Sequence, residues 1–132
     1  MFLLLRNIQI LVIKQQSLTN LLAEIRLHTS ALLPIGHSFI PFDILLAVVK
    51  AVEADNELTV KALFASLPYS DMGIRYHFDK LVKTGWIELH SGDIDTRIKR
   101  VKPSEKLSKR FSLLSNQLSS TVGASVVFNT TP

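Results

Sequence analysis

The sequence contains no cysteine, which excludes disulfides and thiolate chemistry. It also lacks an apolar run long enough to cross a bilayer, which takes about 20 residues. The opening MFLLLRNIQILVIK is apolar but interrupted by Arg6, Asn7 and Gln9. No basic stretch precedes the apolar run and no small-residue cleavage site follows it. It therefore reads as a buried or partner-facing helix, not as a signal peptide or anchor. These absences point to a cytoplasmic protein without a membrane partner. There is no glycine-rich phosphate loop. His28, His37, His77 and His90 are scattered and lack metal-ligand spacing; His77 reads as a core or boundary histidine. The carboxylates form no evident acid–base pair. An enzyme is therefore disfavoured, and no catalytic residue, metal or cofactor is expected. Residues 111–132 carry no charged side chain at all.

What is present is a local surplus of positive charge. The 132 residues carry a net charge of +4. Residues 1–65 are balanced, whereas residues 66–110 hold ten basic and six acidic side chains. The surplus falls on YSDMGIRYHFDKLVKTGWIELHSGDIDTRIKRVKPS and the residues just after it. A clustered surplus suits a polyanionic partner, although charge alone is equally compatible with a solvated face.

Periodicity organises the chain around that stretch. A helical pattern runs from about Leu4 to Leu33, with Leu11, Leu18, Leu22, Ile25 and Leu32 on one stripe. PIGHSFIP breaks it. Pro41 then suits the first turn of a helix, with Phe42, Leu45, Leu46, Val49 and Val52 as its apolar face. Thr59 caps a helix of about two turns that turns Val60, Leu63 and Leu67 inward. Pro68 stops that helix and Ser70 caps the next. There Ile74, Phe78, Leu81 and Val82 follow buried-face spacing. Asp71, Met72, Arg75, Tyr76, Asp79, Lys80 and Lys83 then fall on the other face, and Gly85 ends the helix. WIELHS and RIKRVK alternate around GDID, which predicts a β-hairpin with a mobile tip. By the same alternation Arg97, Lys99 and Val101 share one face, and Ile98, Arg100 and Lys102 the other. A last helix runs from Ser104 to about Ser119, followed by a tail that is frayed or draped on the surface.

Helix, helix, turn, helix and hairpin make a helix-turn-helix with a β-wing. The fold class is thus mainly α with a small β-hairpin. Residues 1–40 form an N-terminal helical dimerisation segment, 41–103 a winged helix-turn-helix, and 104–132 a C-terminal helix and tail. A recognition helix over about 70–84 would present Ser70, Met72, Gly73, Arg75, Tyr76 and Lys80 to the major groove of double-stranded DNA. Arginine offers paired donors to guanine, while serine and lysine suit phosphate. Gly73 is explained either by close approach of a ligand or by tolerance near a helix start. Wing residues Arg97, Lys99, Arg100 and Lys102 suit the phosphate backbone or minor groove, or serve simply as charged protection of an edge strand. Asp95 is spaced to hold Arg97 by an ion pair.

The stretch LTVKALFASLPYSDMGIRYHFDKLVKTGWI resembles the winged helix-turn-helix of the MarR-type bacterial transcription regulators. Leu58 and Thr59, Ser70, Phe78, Leu81 and the run Gly85-Trp86-Ile87 stand at that family's characteristic places. So do Asp95 and Arg97 in the wing, and Pro103 and Ser104 before the next helix. The resemblance covers about residues 41–119. It implies a DNA-binding transcription regulator whose Arg97 reaches the minor groove and which forms a homodimer. It also brings a small-molecule effector into view, whose identity no residue pattern specifies. The family uses two C-terminal helices where this chain has one convincing one. Other readings of the same fold are a protein–protein interaction subunit and a plasmid or replication DNA-binding protein.

Overall fold

The structure is a computed structural model. It describes residues 18–130, with side chains described to residue 123. The opening apolar stretch, with Leu11 of the expected stripe, lies outside the described residues. Helix α1 covers 18–32 of these. It is followed by α2 (Phe39–Glu53), α3 (Val60–Ser66), α4 (Asp71–Lys83), β1 (Ile87–Ser91), β2 (Lys99–Pro103) and α5 (Glu105–Thr130). The chain divides into two compact units. Residues 33–111 form one, and the described parts of the segments before 33 and after 111 form the other. Among the described residues no helix is long and apolar enough to cross a membrane.

Residues 33–111 are a winged helix-turn-helix. Each helix starts on a hydroxyl that satisfies a backbone N–H left without an intrahelical partner. Ser38 Oγ accepts from Ile40 N at 3.2 Å, Thr59 Oγ1 from Ala62 N at 3.1 Å and Ser70 Oγ from Gly73 N at 3.1 Å. Ser104 Oγ accepts from Leu107 N at 3.1 Å and also donates to Trp86 O at 2.9 Å. The start of α5 is thereby stitched to the residue that leads into the wing. Helix α4 stops as expected at Gly85, whose φ is +81°. Gly85 N donates to Val82 O and Trp86 N to Leu81 O, the paired closure that a left-handed residue after a helix allows.

The core of this unit lies between α2, α3, α4 and the hairpin, with Ile44, Leu45, Leu63, Ile74, Phe78, Leu81, Ile87 and Val101 buried. Strands β1 and β2 pair antiparallel, Leu89 opposite Val101 and His90 opposite Arg100. The outer edge of β2 is closed by the segment before α3, because Val101 N donates to Leu58 O at 2.7 Å. The faces expected of α4 are observed for Ile74, Phe78 and Leu81, while Val82 is half-buried. In α3 Leu63 is fully buried, and Val60 and Leu67 are half-buried.

Three expectations need correction. Helix α2 begins at Phe39, which leaves Pro41 in its first turn as expected, but its buried face is Pro41, Ile44, Leu45 and Val48, so that of the expected stripe only Leu45 is buried. Phe42, Leu46 and Val49 are only half-buried and Val52 is exposed. The run ILLAVV is apolar nearly all round, so periodicity does not select a face; packing against α4 and β2 does. Second, α5 does not end near Ser119 but continues to Thr130. No proline interrupts Ser119–Thr130, and Gly123 costs a helix only about 1 kcal/mol relative to alanine. Third, β2 begins at Lys99. Arg97 and Ile98 belong to the loop, so strand alternation does not extend to them. Val101 is buried and does not share an outward face with Arg97.

Candidate nucleic-acid interface

Helix α4 turns Asp71, Met72, Arg75, Tyr76, Asp79, Lys80 and Lys83 outward. Met72 is 85% exposed and Tyr76 is 65% exposed. The corner before the helix is braced from within, because the Tyr69 hydroxyl donates to Asp43 Oδ2 on α2. This bond to a carboxylate raises the Tyr69 phenol above its ordinary pKa. Ser70 is spent in part on its cap. Gly73 is inward of the exposed face: a Cβ there would lie 3.1 Å from Ser70 Oγ and 3.4 Å from Ile40 Cδ1. The close neighbours of Gly73 are thus the cap and α2.

Arg75 does not extend freely into solvent. Its guanidinium carbon lies 4.9 Å from the centroid of the Phe64 ring, within the range where a cation is attracted by the ring quadrupole. Phe64 in turn meets Phe78 edge-on, at 5.4 Å between centroids and 76° between planes.

The loop between the strands is closed by its own backbone. Gly92 N donates to Ile98 O at 3.0 Å and Ile98 N to Asp95 O at 3.2 Å. A Cβ on Gly92 would meet Asp95 O at 2.6 Å, so the turn requires glycine there. Asp95 clamps Arg97 at three points. Its Oδ1 accepts from Arg97 N at 3.0 Å and from Nε at 3.1 Å, and its Oδ2 accepts from Nη2 at 3.3 Å. The side-chain bonds, then the backbone bond, hold the Asp95 carboxyl below its usual pKa. The spacing read from the sequence is therefore an observed ion pair. Lys99 Nζ donates to Ser91 Oγ at 2.8 Å. Arg100 pairs instead with Glu57 at 3.0 Å and is half-buried.

An open groove of about 750 Å³ runs between α3, the start of α4 and the base of the wing. Lys61, Arg75, Arg97 and Lys99 line it with one acid, Asp71. The structure thus brings Arg75, Arg97 and Lys99 to one place. It leaves Tyr76 and Lys80 outside the groove lining and engages Arg100 elsewhere. Sequence reading missed Lys61 and Phe64. The apolar stripe is the one clear signal in the two turns after the Thr59 cap, and Phe64 falls beside it.

No family model matches the sequence, and no curated protein matches it. Solved structures do match. YusO from Bacillus subtilis is 14% identical, with a TM-score of 0.67, over 95% of this chain and 82% of that one. A candidate MarR-like transcription regulator from Bacillus cereus is 11% identical, with a TM-score of 0.54, over 92% and 83%. This chain has the MarR-like winged-helix fold. Reduced AbfR, a structure solved bound to DNA, matches with a TM-score of 0.52 at 17% identity, over 95% of this chain and 89% of that one. The MarR-like fold assigns α4 and the hairpin their structural places, as helix and wing. At these identities it carries no residue's role across.

Proposed function

We propose that the protein is a sequence-specific double-stranded DNA-binding transcription regulator. Helix α4 enters the major groove, and the wing follows the backbone or minor groove. The observation that carries this is the convergence of Lys61, Arg75, Arg97 and Lys99 on one open groove beside the exposed face of α4. Arg75 and Met72 address base edges, with Ser70, Tyr76 and Lys80 beside them, while Gly73 lets α4 pack close to α2. Arg97 and Lys99 address the sugar-phosphate backbone or minor groove, and Arg100 supports the wing through Glu57. The AbfR structure bound to DNA supports the reading by analogy of fold. No enzymatic activity is proposed. The setting is the bacterial cytoplasm, where such a protein meets its DNA.

Salt titration of duplex binding tests the proposal. Each phosphate neutralised adds about 0.9 to the slope of log affinity against log salt. The parent should show a steep negative slope, and Arg97→Ala should flatten it by about one unit. Because the Asp95 carboxyl is held low, its clamp contributes fully above the ordinary carboxylate pKa. The contribution is lost only as pH falls through the lowered value. Binding should therefore show no pH step from Asp95 between about pH 5 and 8. Duplex affinity that ignores salt would favour a second reading, a protein-interaction module. The exposure of Met72 and Tyr76 is what recommends that alternative.

The regulator is further proposed to act as a homodimer through α1 and residues 104–119. Leu18 and Leu22 stand one turn apart on α1 and are each more than half exposed, as is Leu113 on α5, and exposed leucines a turn apart on a helix suit a partner-facing stripe. Sedimentation at micromolar concentration should return twice the chain mass of 14.8 kDa; a monomer at that concentration removes the dimer from the proposal.

A further inference from the structure

We propose that Phe64 is a positioning residue for base recognition, holding the Arg75 guanidinium in place before DNA arrives. The inference rests on the reading of Arg75 as a base-contacting side chain. A long exposed arginine has many rotamers, and docking on a base must remove that freedom. In this protein the restriction is already built. The guanidinium carbon sits 4.9 Å from the Phe64 ring centroid. Phe64 is itself held edge-on by Phe78 at 5.4 Å, and Phe78 is 2% exposed. Order therefore passes from the core through one ring to the arginine.

Two further observations narrow the role. Among the described residues no carboxylate forms an ion pair with Arg75, so the ring is the contact that directs it. Nor does any hydrogen bond among these residues use its guanidinium N–H groups. A cation held by a ring keeps its donors for another partner, and paired donation to guanine O6 and N7 needs them. Contrast Arg97, whose Nε and Nη2 are taken up by Asp95. The two arginines beside the groove are held by different means. One keeps its donors available, which suits reading; the other shares them with a carboxylate, which suits backbone contact.

The test compares Phe64→Leu, which removes the ring but keeps an apolar side chain, with Phe64→Tyr, which keeps the ring. The probe is the best duplex selected from a random pool, together with copies altered at the base pair whose preference Arg75→Ala abolishes. Phe64→Leu should reduce discrimination at that base pair by about 2- to 10-fold. Non-specific affinity and the salt slope should stay parental, and Phe64→Tyr should restore discrimination. Without DNA, the Arg75 δ-methylene protons should resonate upfield in the parent and in Phe64→Tyr, and move to ordinary positions in Phe64→Leu. Parental discrimination in Phe64→Leu, while Arg75→Ala abolishes it, overturns the proposal and leaves the base-reader assignment standing. Equal weakening of specific and non-specific duplexes by Phe64→Leu also overturns it, since that is a structural effect. If Arg75→Ala leaves discrimination unchanged, the base-reader assignment fails and this inference with it. Should Phe64→Leu not fold, the parent spectrum decides: unshifted Arg75 protons overturn the proposal.

Discussion

Phe78→Ala should destabilise the winged helix by about 3–5 kcal/mol. Phe78 lies on the inner face of α4 with Ile74 and Leu81, and removing its ring takes away transfer energy and leaves a cavity. The neighbouring element suffers too, because Phe64 on α3 loses the edge it packs against. A domain of this size is stable by only about 5–15 kcal/mol, so the loss is a large share of the total. Met72→Ala, on the outer face of the same helix at 85% exposure, should change stability by less than about 0.5 kcal/mol. Thermal or denaturant melts of the two variants measure the contrast. Equal melts would mean that α4 is not anchored by this face.

Arg75→Ala should cost about 1–3 kcal/mol at the preferred duplex and relax preference at one base position. The side chain is exposed and forms no ion pair among the described residues, so the fold should tolerate its loss. The loss should be selective. A bidentate contact discriminates one base pair, whereas a phosphate contact weakens every sequence alike. Arg97→Ala provides the comparison, since its expected effect is on the salt slope. Titrating both variants against selected and scrambled duplexes separates the two roles. If Arg75→Ala lowers affinity for all sequences by the same factor, Arg75 contacts the backbone and the base reader lies elsewhere on α4.

Much of this architecture follows from local physics, and local physics is legible in a sequence. Thr59, Ser70 and Ser104 cap helices because a hydroxyl just before a helix satisfies N–H groups that the helix cannot. Gly85 ends α4 because the closing hydrogen bonds demand a positive φ. The inner and outer faces of α4 were readable because its apolar residues are few and spaced for one stripe. Asp95 and Arg97 are two residues apart, so their pairing needed no long-range information. Where the local signal is degenerate, tertiary structure decided. Helix α2 is apolar nearly all round, and only contact with α4 and β2 chose Ile44 and Val48 over Phe42 and Val52. The start of β2 at Lys99 depends on its pairing with Ser91 and on the Leu58 carbonyl across its outer edge. That partner lies more than forty residues away in the chain. The groove is non-local in the same way. Lys61 and Phe64 come from α3, Arg75 from α4, and Arg97 and Lys99 from the wing. No periodicity along one segment can report that three segments converge, because convergence is set by which buried faces pack together.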